Sequence, residues 1–217
     1  MAGLILSLET ATPICSVAIA DVEGNIHHKS ATGAGVHSEK TLLFIESLLK
    51  ELNASISDVD IVLVNKGPGS YTGLRIGSSV AKGLLFGKKV KLFSVSTLEA
   101  TAFAMLKKYP EATSVHAVLN ARRTHLYHQQ FVMKDENLVE KLPQEVRSLQ
   151  EIESLIKSGD IIAGDATQRL SLTDKNEIQV FSTEQSISAV HMIEYFLHQQ
   201  QKRVMIEEDA VSFEPIY

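Results

Sequence analysis

The sequence offers little for covalent cross-linking or membrane insertion. It carries a single cysteine, Cys15, in 217 residues. That excludes an internal disulfide and a cage of thiolates around a metal, and it fits a reducing compartment. Cys15 is expected to act as a small buried hydrophobe. The apolar runs, such as LILSL and IVLV, are short and interrupted, far below the ~20 residues that a membrane helix needs. Met1, Ala2 and Gly3 lead straight into a strand-like run with no basic leader, so a cytoplasmic protein is expected. Basic residues are also few. Lys and Arg number 21 against 26 Asp and Glu, for a formal charge of −5 and a pI near 5.9. Apart from Lys88, Lys89 and Lys91 and the Arg122/Arg123 pair they are scattered. Tight autonomous RNA binding is therefore excluded, and any RNA role must be shared with a partner.

What is present reads as an α/β protein, with 44% hydrophobic and 22% charged residues. Leu4 to Leu8, Ile14 to Ala20 and Ile26 to Ala31 alternate as strands around turns at Thr10 to Pro13 and Gly24/Asn25, an antiparallel meander. Ser38 stands where a helix N-cap belongs, and Leu42, Ile45, Leu48, Leu49 and Leu52 follow at helical intervals. A buried strand Ile61 to Val64, a glycine-rich loop Asn65 to Gly73, a helix from about Leu74 to Phe86 and a strand Val90 to Val95 form a crossover. Ser96 and Glu99 match a capping box that opens a third helix. The second half repeats this grammar more faintly. Strands are expected at Val115 to Leu119, His125 to Val132, Leu138 to Lys141 and Ile161 to Gly164, and helices at Leu149 to Ile156 and Ile187 to Gln201. Two related lobes follow, residues 1–100 and 101–217, with the last helix a candidate to pack back on the first.

Three stretches could carry chemistry. In LETATPICS, Glu9, Thr10 and Thr12 are candidates for weak nucleotide contacts, because hairpins of the actin, Hsp70 and sugar-kinase type bring an acid and backbone amides to a metal-bound phosphate. Ala11, however, stands where active members carry glycine, and from this stretch alone a plain β-hairpin turn satisfied by its own hydroxyls is the favoured reading. The loop NKGPGSYTGLRIG gathers Gly67, Gly69 and Gly73 at a helix start, where free N–H groups could hold an anion. Its GxGxxxG spacing matches neither the Walker loop nor the dinucleotide fingerprint, and a packing role explains it as well. The eight histidines contain no i, i+4 helical pair, and His125 and His128 fall on opposite faces of a strand. No metal, cofactor or catalytic residue is expected.

The segments LILSLETATPICSVAIA, VHSEKTLLFIESLL, VNKGPGSYTGLRIGSSVAKGLL, SVSTLEA and NARRTHLY stand in the order and spacing of the bacterial TsaB family, also called YeaZ, which this sequence resembles over most of its first 130 residues. The resemblance implies an actin/Hsp70-like (ASKHA) fold. It also implies a non-catalytic subunit that supports TsaD, together with the ATPase TsaE, in forming N6-threonylcarbamoyladenosine beside the tRNA anticodon. TsaD-like members bind metal through an HxxxH helix motif that is missing here. Glu9 stands where many members have Asp, and Asn120 where DARR is usual. Lys88, Lys89, Arg122 and Arg123 are the candidates for tRNA contact within the complex. The competing reading is a nucleotide-dependent phosphotransferase on the same fold.

Helix geometry adds a docking expectation. At ~100° per residue the apolar arcs of the first two helices span about 160° and 180°, wider than the ~100° that covering a sheet requires. Gly73, Gly77 and Ala81 recur every four residues as a ridge for another helix. Leu42, Ile45, Leu49, Gly73, Leu74, Gly77, Ala81 and Leu85 are therefore expected to meet TsaD, or a second copy when TsaD is absent.

Overall fold

The computed structural model describes residues 3–121, 123–172, 177–202 and 204–216. The chain forms two compact units. One contains residues up to Thr97 together with those from Ser188 on, and the other is Leu98–Ile187. No helix among the described residues is long and apolar enough to cross a membrane.

In the first unit, β1 (Leu4–Glu9), β2 (Ile14–Ala20) and β3 (Ile26–Thr32) form the meander, while β4 (Val59–Gly67) and β5 (Lys91–Ser96) run parallel to β1. Near the C-terminus β11 (Glu207–Glu208) adds an antiparallel edge, giving the order β11-β5-β4-β1-β2-β3. Every residue of β1 and β2 is buried, as expected where helices cover both faces of a sheet. Leu4, Leu6 and Leu8 point with Val17, Ile19, Val62 and Val64 into one core, closed by Ile45, Leu48 and Leu49 of α1 (Val36–Glu51), Ala81 and Leu85 of α2 (Tyr71–Leu85), and Phe213. Helix α6 (Ala189–Gln201) also packs on β1 and β2, where the Ser16 hydroxyl accepts the Ala189 N–H at 3.1 Å.

The second unit follows the same plan. After α3 (Thr97–Lys108), β6 (Ser114–Asn120), β7 (His125–Lys134) and β8 (Asn137–Ser148) form a meander. Then α4 (Leu149–Leu155), β9 (Asp160–Gly164), β10 (Gln179–Phe181) and α5 (Thr183–Ser186) follow, and the strand order is β10-β9-β6-β7-β8. With β11 set aside, both sheets read fifth, fourth, first, second, third strand, the related lobes that the sequence suggested.

Local expectations fail where turn chemistry moves a boundary. Helix α1 begins two residues before Ser38, capped by Gly35 in the left-handed region at φ 72°. The Ser38 hydroxyl instead donates to the Gly35 carbonyl at 2.9 Å. The glycine-rich loop shrinks, because β4 continues to Gly67 and Ser70 caps α2 by accepting the Gly73 N–H at 3.3 Å. Strand β8 is far longer than expected and contains Pro143, which an edge strand tolerates because one side of its backbone needs no ladder partner.

The wide arcs have an internal cause. Helix α1 lies on β2 and β3 and also against α2, so its apolar stripe serves two neighbours. The small residues of α2 face the β1–β2 turn. A Cβ on Gly73 would overlap the Thr10 carbonyl oxygen, one on Gly77 the Thr10 hydroxyl, and one on Gly69 the Ala11 carbonyl. Gly83, in contrast, has open space where its Cβ would stand. Gly73→Ala should therefore destabilise by about 2–3 kcal/mol and lower Tm by about 5–10 °C, and Gly77→Leu should not fold. Gly83→Ala should stabilise by about 0.5–1 kcal/mol. Thermal melts of the three variants against wild type check this ordering.

Candidate functional site

The β1–β2 turn is held by a buried polar clamp. Pairing of Leu8 with Val64 brings Glu9 and Asn65 side by side at the carboxyl ends of two parallel strands. The Asn65 amide nitrogen donates to Glu9 Oε2 at 2.5 Å and to the Thr97 hydroxyl at 3.1 Å, and its oxygen accepts the Thr10 N–H at 2.9 Å. Glu9 Oε1 accepts the Ala11 N–H at 2.8 Å and the Thr12 hydroxyl at 3.3 Å. The Ala11 carbonyl accepts the Ser70 N–H at 2.6 Å. His37 Nε2 lies 2.9 Å from the Thr12 carbonyl and 3.2 Å from that of Ile14, so it carries a proton and donates.

This geometry chooses between the two readings open for each of two stretches. Glu9, Thr10 and Thr12 are each 1% exposed, and the Thr10 and Ala11 amides that would cradle a phosphate are spent on Asn65 and Glu9. They stabilise the turn rather than offer nucleotide contacts. The glycines of GPGSYTG admit that turn against α2, the packing alternative to a phosphate loop.

The docking set is revised. Ile45, Leu49, Gly73, Leu74, Gly77, Ala81 and Leu85 are all buried within the first unit. They are core, because the turn and the neighbouring helix use the surface that the arcs seemed to leave over. Of the set only Leu42 is exposed, at 55%, with Leu43 beside it at 54%. The outer face of the two helices is thus Leu42, Leu43 and Glu46 on α1, and Arg75, Ser79 and Gly83 on α2.

A family model described as TsaD, tRNA N6-adenosine threonylcarbamoyltransferase, matches residues 27–204. The tRNA threonylcarbamoyladenosine biosynthesis protein TsaB of Haemophilus influenzae is 33% identical over 128 residues, 59% of this chain and 53% of that protein. The protein of the same name from Escherichia coli is 33% identical over 133 residues, 61% of this chain and 56% of that protein. The chain belongs to this family. These alignments span about half the length of the curated relatives. YeaZ from Pseudomonas aeruginosa superposes with a TM-score of 0.81 at 22% identity, covering 99% of each chain. The fold is therefore the α/β fold of YeaZ, with two sheets of matching strand order.

The second unit holds a polar network that sequence reading missed. Ser114 and His116 on β6, His128 and Gln130 on β7, and Asp160 on β9 are buried together. An arginine can only donate, so Arg147 Nη1, 2.8 Å from His128 Nδ1, fixes that nitrogen as an acceptor. His128 then donates from Nε2 to His116 Nδ1 at 2.9 Å, and His116 from Nε2 to Asp160 Oδ2 at 3.2 Å. Asp160 also accepts from the Ser114 hydroxyl at 2.6 Å and the Lys157 N–H at 2.8 Å. Burial alone would raise the Asp160 carboxyl, but His116, Ser114 and Lys157 outweigh it and hold it below its usual range. Burial, then electrostatic repulsion from the neighbouring His116 and Arg147, pushes His128 down to about 3. The available signal was the pairs Ser114/His116 and His128/Gln130, polar residues at strand period inside apolar runs.

At the carboxyl ends of β6 and β9, Asp165 Oδ1 accepts the Asn120 N–H at 2.8 Å, and Asn120 Oδ1 accepts Arg169 Nη1 at 2.5 Å. Arg169 also donates to the Arg123 carbonyl. Burial pushes Asp165 up to about 6, against the lowering by the Asn120 N–H and Arg169. The carboxylate beside this turn is thus supplied by Asp165, with Asn120 fixed at its side. Lys88, Lys89 and Arg123 are exposed, and Arg122 lies outside the described residues. Among the described residues no three His, Cys, Asp or Glu gather at metal-binding range.

Two pH effects follow. His128 has a folded pKa below its unfolded value near 6.5, so its contribution is present above 6.5 and is lost as pH falls toward 3. The full loss is on the order of 4 kcal/mol. Because Asp165 titrates with the opposite sign over part of this range, the test uses the Asp165→Asn variant, whose urea unfolding should weaken already between pH 6.5 and 5; a flat profile there would contradict the buried neutral His128. Asp165 has the opposite sign, its folded pKa being raised, so stability falls as pH rises from about 4 to 6. Asp165→Asn keeps the acceptor for Asn120 and should raise Tm at pH 7 by a few degrees, roughly 1 kcal/mol, with no gain at pH 4.

Proposed function

We propose that this chain is the non-catalytic TsaB subunit of the complex that forms N6-threonylcarbamoyladenosine beside the anticodon of tRNA. In this reading it acts in the cytoplasm, where it binds and supports the catalytic TsaD subunit together with TsaE. The carrying observation is the state of the β1–β2 turn. Its amides and its acid are bonded to one another in the core, so binding a phosphate there would mean breaking the clamp that orders β1, β4 and α2. A nucleotide-dependent phosphotransferase would need those donors, and no observation favours that reading. Calorimetric titration with ATP separates the two.

The partner docks on the outer face of α1 and α2. Leu42 and Leu43 are large apolar side chains in solvent, and the open space over Gly83 admits the close approach of another helix. A partner from the same wider family would carry an equivalent pair of helices. The same face therefore suits TsaD, or a second copy when TsaD is absent.

Leu42→Glu with Leu43→Glu should melt with the wild type, since both side chains already face water, yet lose co-purification with TsaD by at least about tenfold, as expected for buried interface charges without partners. Undiminished capture of TsaD by this variant places the docking face elsewhere. Capture by neither protein rejects the subunit reading itself.

A further inference from the structure

Phe86 is 88% exposed, more than any other large apolar side chain among the described residues. It is not on a frayed end. Phe86 at φ −56°, ψ 120° and Gly87 at φ 71° occupy the two central positions of a turn closed by the Lys88 N–H to the Leu85 carbonyl at 2.9 Å. These are the angles of a type II turn, whose third position requires the left-handed region and so takes glycine. The backbone therefore holds the ring outward from the corner where α2 meets the approach to β5.

The surroundings of the ring are cationic. Lys88 and Lys89 follow it, both exposed and without an ion pair among the described residues. The nearby lysines and acids are already engaged. Lys91 faces Glu207 at 3.8 Å, and Lys82 donates to the Val211 carbonyl at 3.1 Å beside Asp209. Glu208 accepts from the Ser94 hydroxyl. In the turn itself the ring is flanked by a glycine and by two cations without an ion pair among the described residues. One exposed π-face next to two cations is the local chemistry that recognises a single-stranded nucleic acid, in which a base stacks on the ring and its neighbouring phosphates meet the amines.

We propose that the turn Phe86–Lys89 is a contact for unpaired RNA, with Phe86 stacking on a base and Lys88 and Lys89 holding the adjacent phosphates. This rests on the subunit reading above and assigns part of the tRNA contact to this chain. Two phosphate contacts are too few for tight binding by the free protein, in keeping with its net negative charge.

The sequence has no tryptophan, so Phe86→Trp gives a unique fluorophore at the ring position. In low salt, an anticodon stem–loop oligonucleotide should quench its emission, while a fully paired RNA duplex should not. By fluorescence anisotropy of the labelled stem–loop, Phe86→Ala and Phe86→Leu should each bind about tenfold more weakly, and Phe86→Tyr like wild type. Lys88→Gln with Lys89→Gln should reduce the log–log salt slope by about 1.4, the share of two single-strand phosphate contacts. Absence of quenching, or wild-type binding by Phe86→Leu, overturns the proposal. So does a response of the Phe86→Trp emission to anionic lipid vesicles or to protein concentration but not to RNA, which would make the turn a membrane or self-association contact. If the RNA responses fail while capture of TsaD is normal, this inference falls and the subunit reading stands.

Discussion

A single close approach organises the first unit: the β1–β2 turn lies against the N-terminal half of α2. The approach is closer than any side chain allows, which is why Gly69, Gly73 and Gly77 face Thr10 and Ala11. It also buries the turn's polar groups away from water. Each unpaired group there would cost about 1–3 kcal/mol, so Glu9, Thr12 and Asn65 must be placed to accept and donate. Sterics and hydrogen bonding thus demand one another. Remove the glycines and the turn cannot enter; remove Glu9 or Asn65 and it enters with buried amides unpaired.

The two units solve the same problem with different chemistry. In each, a side chain at the carboxyl end of the crossover strand accepts a backbone N–H at the end of the first strand: Asn65 from Thr10, and Asp165 from Asn120. In the first unit the acceptor is the Asn65 amide, with the Glu9 carboxyl buried beside it. In the second the acceptor is itself a carboxylate, raised toward neutrality by burial and faced by Arg169. The shared strand order makes the positions equivalent, and the choice of side chain decides whether the N–H meets an amide oxygen or a carboxyl oxygen.

The network from Arg147 to Asp160 gives the second unit direction. Because an arginine cannot accept and a carboxylate cannot donate, the tautomers of His128 and His116 follow from the two ends. That chain ties β8, β7, β6 and β9 across the sheet. A buried, satisfied polar chain of this kind favours one strand register over its slipped alternatives, since a shift of one residue would turn every member to the other face.

By itself the sequence determined the element types and the α/β class, because strand and helix periods are local properties of Leu4–Ala20, Val36–Leu52 and Tyr71–Leu85. It also determined the family, through GPGSYTGLRIG and its neighbours. Only the tertiary structure decided what those residues face. An apolar arc records how much of a helix is buried and not by what, so Gly77 and Ala81 read equally well as a docking ridge or as a seat for the β1–β2 turn. Likewise Glu9 and Asn65 are 56 residues apart, and no local pattern links them. Their meeting depends on the parallel register of β1 with β4, which is set by long-range strand pairing.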